Sequence, residues 1–513
     1  MRTIVVGAGS AGCVIAARLS EGDHDVVLLE AGPDYPTVPD LPDDLRDGRK
    51  NSMTAHDWGY RFRPTMQRTN MFAFPRGRVV GGSSAVNTCI ALRGHPYDYD
   101  EWAERGLPEW SFKRCLPAFK RLEHDLDFDD DWHGQDGPIP LRRHPPDELV
   151  RWQSAFVEAC VAAGYPQTVD HNNPDLPCGV GPHAMNKVAG ERMSAARCYL
   201  TPQVRRRQNL TIVSGVLVRR LLFESISTSS SGRTKFSGVE IERDGRTEIV
   251  RGDRLVLSAG AIGSVGVLLR SGIGPKNELA RLAVECIVDS PSVGRRVLDH
   301  PGTAVLFAPR EHITELSQPV IQTMARATSI GSPHPFDLQL QAGSWLPIFG
   351  LNLPVCAVMA AIGKPDGAGE IHFASADPRE KPALTARLLD HPRDRARIEE
   401  AIDRIWEIGR QAPLRELAFP VYPDRNVLAK RDRLAAFMPK ITGSGYHPCG
   451  TVPMSAGSLE EGAVDQHGRV LGLSGVCVAD ASIMPTIPSA NTNLPTLMIG
   501  ERFGEWLSQG LTF

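Results

Sequence analysis

Arg2-Thr-Ile-Val-Val-Gly7-Ala-Gly9-Ser10-Ala11-Gly12 leads into a helical stretch to Ser20 and then into Asp25-Val-Val-Leu-Leu-Glu30. Thr3 to Val6 read as a buried parallel strand and Gly7 as the tight turn after it. Gly9 is the point where backbone closes on a pyrophosphate, and Gly12 lets the helix pack against the sheet. A phosphate at this turn meets unpaired N–H groups and the positive end of the helix dipole. Glu30 ends the second strand, where a carboxylate accepts hydrogen bonds from ribose hydroxyls and repels a 2′-phosphate. The order strand, helix, strand, acid predicts a dinucleotide site for a cofactor with an unphosphorylated ribose. NAD and FAD both satisfy it.

The 513 residues suffice for two or three domains and a large core. Apolar residues at 42% and charged residues at 23% describe an ordinary globular protein. A formal net charge of -3 gives no electrostatic reason to expect nucleic acid or an anionic membrane surface as a partner. The 48 Gly and 40 Pro suit a chain rich in turns and extended segments. The ten cysteines are scattered without a C-x-x-C, so no disulfide framework is expected. The first strand starts at the third residue, which leaves no room for a signal peptide, and no apolar run approaches a membrane span. A reduced, cytoplasmic enzyme is expected. No His or Cys/His pattern suits a tetrahedral metal, and none is expected.

After Glu30 the chain reads as loop and short helix to about Asp57, so the nucleotide sheet is interrupted. Arg76-Gly-Arg-Val-Val-Gly-Gly-Ser-Ser84 suits backbone pressed against a ligand better than a free loop. Residues 98 to 124 read as amphipathic helices with Trp102, Trp110, Leu116, Phe119 and Leu122 as core. Asn209–Ser214, Val216–Phe223, Phe236–Arg243 and Thr247–Leu257 alternate like an antiparallel sheet, with a turn at Arg243-Asp-Gly-Arg246. Ser225 to Gly232 is a low-complexity hairpin loop, and Arg205-Arg-Arg207 reads as a solvated helix end. Leu255 to Gly263 and then Ser264 to Arg270 form a second nucleotide-facing strand-to-helix turn. Strand-like segments near Phe336–Leu340, Val355–Ile362 and Glu370–Phe373, and a helix over Arg393–Arg410, belong to a different domain. Gly475–Asp480 and Leu494–Leu507 return to the nucleotide-facing pattern.

The motifs together resemble the glucose-methanol-choline oxidoreductase family, whose members bind FAD. Gly77-Arg-Val-Val-Gly-Gly-Ser-Ser-Ala-Val-Asn87, with Ala91, Gly94 and Asp100 following, resembles the first family signature. Gly260-Ala-Ile-Gly-Ser264 to Ser271-Gly-Ile-Gly274 resembles the second, with Val265 where Pro or Ser is usual; a slightly altered bend at the helix start is expected there. The resemblance implies a mixed α/β fold: a discontinuous Rossmann-like FAD-binding domain (1–150, 190–300 and 441–513) and a substrate-binding domain (151–189 and 301–440) built on an antiparallel sheet with helices. It implies an FAD site of Gly7, Gly9, Ser10, Ala11 and Gly12 at the pyrophosphate, Glu30 and Ala31 at the ribose, and Val218 at the adenine. Val80, Gly82, Ser83 and Asn87 fall beside the isoalloxazine and ribityl chain, Asp480 and Ala481 near the pyrophosphate or ribityl end, and Asn491 and Thr492 complete the set. Val86 stands where some members carry a histidine bonded to the flavin, so the FAD is expected to be noncovalent.

Tyr446-His447-Pro-Cys-Gly-Thr451 resembles the family's catalytic segment, and Pro488-Ser-Ala-Asn491-Thr-Asn493 the loop that carries its partner. Oxidising an alcohol removes a hydride from carbon and a proton from oxygen, and the proton needs a base such as imidazole at hydrogen-bond distance. His447 is the expected base. Asn491, preferred over Asn493, is expected to orient the hydroxyl, since an amide does not titrate. Cys449 is expected to be a small buried residue, and Gly445 leaves room near the flavin edge. Leu338 to Cys356, with Trp345 and Phe349, reads as core ahead of an apolar lid. The expected reaction is oxidation of a primary or secondary alcohol, polyol, sugar or natural-product intermediate, with oxygen, a quinone or another carrier as acceptor. A hydroxynitrile lyase-like enzyme without net redox chemistry is the alternative; a nicotinamide enzyme and a non-catalytic flavoprotein stand further back. Oligomeric state is not legible.

Overall fold

The computed structural model describes residues 1–224, 234–313, 315–345 and 355–512. The loop expected over Ser225–Gly232, and Phe349, lie outside the described residues. Five parallel strands form the nucleotide sheet: β1 (Arg2–Val6), β2 (Asp25–Leu29), β3 (Leu210–Val213), β4 (Arg254–Leu257) and β5 (Val476–Val478), in spatial order β3-β2-β1-β4-β5. The pairing is in register from Thr3↔Val26 and Thr3↔Arg254 to Val6↔Leu29 and Val6↔Leu257. The apolar run of β1 is buried from Thr3 to Val6 because helices cover both faces. α1 (Ser10–Leu19) follows β1, α2 (Gly260–Arg270) follows β4, and α3 (Asn493–Ser508) follows β5. All three helices therefore start at the carboxyl ends of strands, where open parallel sheets bind ligands.

Two strand expectations are corrected. Leu210–Val213 does not join the antiparallel sheet but runs parallel to β2 at the edge of the nucleotide sheet. Thr247–Leu257 is two strands: Arg246–Arg251 pairs antiparallel with Thr234–Arg243, and Arg254–Leu257 is β4. The break lies at Gly252-Asp253, where the Arg2 amide donates to the Asp253 carboxylate at 2.7 Å. Burial explains the division, since 246–251 is largely exposed and 254–257 is buried throughout, as a parallel strand covered on both faces must be.

A second core lies on a seven-stranded sheet ordered Ala418–Tyr422, Pro301–Pro309, Cys356–Ile362, Leu338–Gly343, Thr323–Ala327 and Val180–Pro182, with Gly443–Ser444 pairing beside Pro301. Its pairings are antiparallel. The helices Arg151–Ala162 and Pro392–Gly409 cover it, with Trp152, Phe307, Ile398, Ile402 and Ile405 among the buried side chains. A four-stranded sheet joins Arg61–Arg63 and Phe72–Ala73 to Glu370–His372 and Ala383–Thr385, tying the N-terminal third to the C-terminal half.

The segment 98–124 folds as helices Pro96–Glu104 and Phe112–Leu122 around a 3-10 turn, and Trp102, Trp110, Phe119 and Leu122 are buried as expected. Arg205–Arg207 is not a merely solvated end. Arg205 pairs with Asp34 at 2.6 Å, and Arg207 donates to the Ala17 carbonyl and Ser20 hydroxyl, where a cation meets the negative end of α1. α2 runs unbroken through Val265, whose side chain is buried, so the expected change at its start does not interrupt it. Among the described residues no helix is long and apolar enough to cross a membrane.

Candidate active site

The cofactor end of the site is built by backbone. Gly7 has φ +94°, a conformation that favours glycine, and the turn it makes carries the chain from β1 to α1. α1 begins at Gly9 with no side-chain cap and no acid in its first turn, so its first N–H groups remain available to an anion. A Cβ on Gly9 would project into open space, with the Ser258 carbonyl its nearest neighbour at 3.9 Å. The opposite wall is the 76–87 segment, and its Gly82 lies so close that a Cβ there would sit 2.7 Å from the Gly9 Cα. Only glycines let these two loops meet. Glu30 is buried, and its oxygens accept from the amides of Ala8 (3.0 Å) and Gly32 (2.8 Å). Burial nonetheless pushes its carboxyl up to about 7.

A cavity of about 850 Å³ joins this end to the segment 445–448 and the start of α3. Gly7, Gly9, Ser10, Ala11, Glu30, Ala31, Gly82, Ser83, Asn87, Val218, Asp480, Ala481, His447, Asn491 and Thr492 all line it. Gly12 and Val80 do not. A Cβ on Gly12 would lie 1.9 Å from the Gly7 carbonyl oxygen, so Gly12 serves helix packing rather than facing the cavity. Val80 is buried in the main core, its amide donating to the Pro33 carbonyl. Asn493, the alternative to Asn491, also lines the cavity, but its oxygen accepts from the Ser10 hydroxyl at 2.8 Å, whereas Asn491 is the one beside His447. Trp345 is core, its indole donating to the Gln318 carbonyl. Cys449 is buried, and burial pushes its thiol up, away from nucleophilic use.

At the other end three polar side chains form a directed chain. His300 Nε2 lies 3.1 Å from both the Gly363 and Pro488 carbonyl oxygens. Carbonyls only accept, so this nitrogen carries the proton. Burial pushes His300 down to about 4, which keeps it neutral, and its Nδ1 is then a lone pair. His447 Nδ1 sits 2.9 Å from that lone pair and must be the donor. The free lone pair of His447 is therefore on Nε2, 3.0 Å from Asn491 Nδ2. Two main-chain carbonyls thus set the tautomer of His447 through His300. Asn491 Oδ1 is buried and has no partner among the described residues, a polar atom left for a ligand. His447 is held well below the usual imidazole range by burial, by the neighbouring His300 and by the Arg76 guanidinium.

The backbone aiming His447 is strained. Tyr446 has φ +62°, a left-handed conformation costing a non-glycine residue roughly 1–3 kcal/mol. The Tyr446 amide donates to Ser444 Oγ at 2.7 Å, the Gly445 amide to the His300 carbonyl at 2.8 Å, and the His447 amide to Asp299 Oδ1 at 2.9 Å. Gly445 lines the cavity. A Cβ there would sit 2.9 Å from His447 Nδ1 and 3.1 Å from His300 Cβ, so the position is bare to admit the imidazole pair. The loop carrying Asn491 is clamped carbonyl by carbonyl: Lys364 donates to Ile487 at 3.0 Å, His300 to Pro488, and Arg326 and Gln339 to Ser489 at 3.1 and 2.9 Å.

Sequence reading did not single out His300, Asp299, Lys364 or Arg326. The Asp299-His300 pair was the available signal, but two polar residues before an alternating strand have no chemistry of their own until the fold places them beside His447. The oxygen and nitrogen donors of Asp366, His391 and Asp394 also approach one another. Those carboxylates are already committed to Arg393, Arg397 and the amides of Asp366 and Gly367.

The family models of GMC oxidoreductases match residues 1–302 and 365–500. The chain belongs to the GMC oxidoreductase family. It is 33% identical to an oxygen-dependent choline dehydrogenase of Vibrio vulnificus (strain YJ016), covering 97% of this chain and 92% of the relative. It is also 33% identical to a 5-(hydroxymethyl)furfural oxidase of Methylovorus sp. (strain MP688), covering 98% and 97%. The crystal structure of pyridoxine 4-oxidase from Mesorbium loti superposes with a TM-score of 0.90 at 29% identity over 99% of both chains. This GMC enzyme is an FAD-dependent oxidoreductase acting on alcohol groups. Its residues fit the cofactor. The uncapped start of α1 and the open face of Gly9 suit the pyrophosphate, Glu30 suits an unphosphorylated ribose, and Val218 lines the far end of the cavity.

Proposed function

We propose that this GMC enzyme oxidises a primary or secondary alcohol to its carbonyl, with His447 as general base and Asn491 orienting the hydroxyl. The observation that carries the reading is the chain from the Gly363 and Pro488 carbonyls through His300 to His447, which leaves the Nε2 lone pair beside Asn491. When bound, FAD supplies the hydride acceptor. His447 takes the hydroxyl proton at Nε2, and its new charge is opposed by burial, so the proton is readily passed on. The hydroxyl replaces the Asn491 amide on Nε2, and that amide then donates to the substrate oxygen and fixes its orientation. The FAD is held noncovalently in this reading, since Val86, which lines the cavity, offers no atom for a flavin bond. The substrate enters between the FAD-binding segments (1–150, 190–300, 441–513) and the substrate-binding segments (151–189, 301–440).

Anaerobic mixing with a panel containing choline, 5-(hydroxymethyl)furfural, pyridoxine, sugars and simple alcohols should bleach the flavin with at least one member. Admitting oxygen then separates oxidase from dehydrogenase by the rate of reoxidation. Turnover of a cyanohydrin with the flavin still oxidised would overturn the proposal in favour of a lyase.

Replacing His300 by Phe removes the acceptor for His447 Nδ1 and strands two carbonyls. Misaiming a reacting group by an ångström costs about 10²-fold, and flavin reduction should slow on that scale with FAD retained. His300→Gln, which both donates and accepts, should recover part of the rate, and equal rates in the two variants would remove the relay from the mechanism. Burial raises the Asp299 carboxyl to about 6, so the charged clamp on the His447 amide is present above that pH and lost below it. His447 itself is held well below the usual imidazole range by burial. The reduction rate should therefore hold through neutral pH and fall on acidification through about 6, a limb that Asp299→Asn should abolish or displace.

A further inference from the structure

We infer that Arg76 is a positioning residue for the catalytic base, coupling the flavin-side loop to the strained turn that aims His447. The assignment rests on His447 acting as base. Arg76 opens the 76–87 segment, the wall that meets Gly9 across the cavity, and its own amide is tied to the Asp57 carboxylate at 2.7 Å. Its guanidinium reaches away from that wall and donates to the Tyr446 carbonyl at 2.7 Å. That carbonyl belongs to the residue with φ +62°, and the next residue is His447.

The other restraints on this turn, from Ser444, Asp299 and His300, act on amides. Arg76 acts instead on a carbonyl, that of Tyr446. Phe74 packs between them, 5.2 Å beneath the guanidinium and 5.9 Å from the Tyr446 ring. No ion pair within salt-bridge distance neutralises Arg76 among the described residues, and burial lowers it only to about 10, so it stays charged at neutral pH. A charged donor makes a stronger hydrogen bond than a neutral one, which suits a turn that must be held against strain.

The charge has a second effect. The charged or titratable groups around His447 are Arg76 from the 76–87 segment, Asp299 and His300 from the head of the 301–309 strand, and Tyr446 on its own segment; Asn491, from the start of α3, is neutral. Arg76 lowers the proton affinity of both His447 and Asp299. It therefore favours the unprotonated base and the ionised clamp alike. Geometry and charge act in the same direction.

Arg76→Met, Arg76→Lys and the parent should be compared as FAD-loaded proteins. FAD content is read from visible absorbance, integrity from thermal unfolding, and the His447 protonation state from its ring ¹⁵N shifts. Arg76→Met should slow anaerobic flavin reduction about 10- to 10²-fold and move its acid limb to higher pH, with the His447 ring titration moving the same way. Arg76→Lys keeps the charge and one donor; its acid limb should stay at the parental pH while the rate recovers in part. Parental rate and limb in Arg76→Met, or identical limbs in the Met and Lys variants, would overturn the assignment. Failure of the underlying reading shows separately, as unimpaired reduction in His447→Ala.

Discussion

His447→Ala is expected to bind FAD like the parent and to lose about 10²- to 10⁴-fold in the rate of anaerobic flavin reduction by substrate, the usual cost of removing a general base. Retention of the flavin follows from the construction of the site. The groups placed to hold the dinucleotide are backbone at Gly7, Gly9 and Gly82 and the Glu30 carboxylate, and none of them depends on the imidazole. The rate loss follows from the directed chain: with His447 gone, His300 Nδ1 has lost its donor and Asn491 its acceptor, and neither can reach over as a substitute base. An amide does not titrate, and the lone pair on His300 Nδ1 lies one imidazole further back, 2.9 Å behind the Nδ1 that His447 has vacated. Stopped-flow absorbance at the flavin band measures the rate directly. A variant that reduces its flavin as fast as the parent would remove His447 from the chemistry.

Gly12→Ala is expected to abolish flavin binding or to leave the protein insoluble. The added methyl carbon would lie 1.9 Å from the Gly7 carbonyl oxygen and 2.7 Å from Ser258 Oγ. The first of these is main chain in the turn between β1 and α1, so no side-chain rotation relieves the clash. Forcing extra carbon into a packed site commonly costs about 1–3 kcal/mol, and rigid backbone on one side places this position at or above the upper end. α1 would have to lift from the sheet, taking with it the N–H groups that meet the pyrophosphate. Expression with measurement of the flavin-to-protein ratio is the test. Gly9→Ala, whose methyl meets nothing closer than 3.9 Å, is the comparison: it should fold and bind FAD more weakly rather than not at all. Equal flavin loading in Gly12→Ala and the parent would refute the packing argument.

The nucleotide end of this protein was legible because its chemistry is local. A strand, three glycines and an acid follow one another within 30 residues, and each has a backbone reason for its position. His447 and Asn491 were picked out through the motifs around them, and the fold brings the two within 3.0 Å of each other. The strand pairing of 209–214 and 254–257 was misread because alternation of side chains does not distinguish a parallel edge strand from an antiparallel one; the partner strand, supplied by distant sequence, decides. His300 and Asp299 were missed for a related reason. Their roles exist only where the head of one strand meets the turn at 445–447, and neither residue type at that spacing carries a signature. Gly445 was read as room near the flavin edge; it lines the cavity, and the space of its missing Cβ abuts the imidazole of His447.

The nucleotide sheet begins with β1 at residues 2–6, takes its neighbour β4 from 254–257, and closes with β5 at 476–478. Strands that pair across such separations form late, because loop closure must precede any gain from the contact. A ribosome delivering this chain therefore releases the first half of a cofactor cradle long before its last wall exists. FAD capture should wait for α3, whose first residues line the cavity. Loading should thus be all-or-none, and the flavin itself, as a ligand of the closed form alone, should act as the latch on folding.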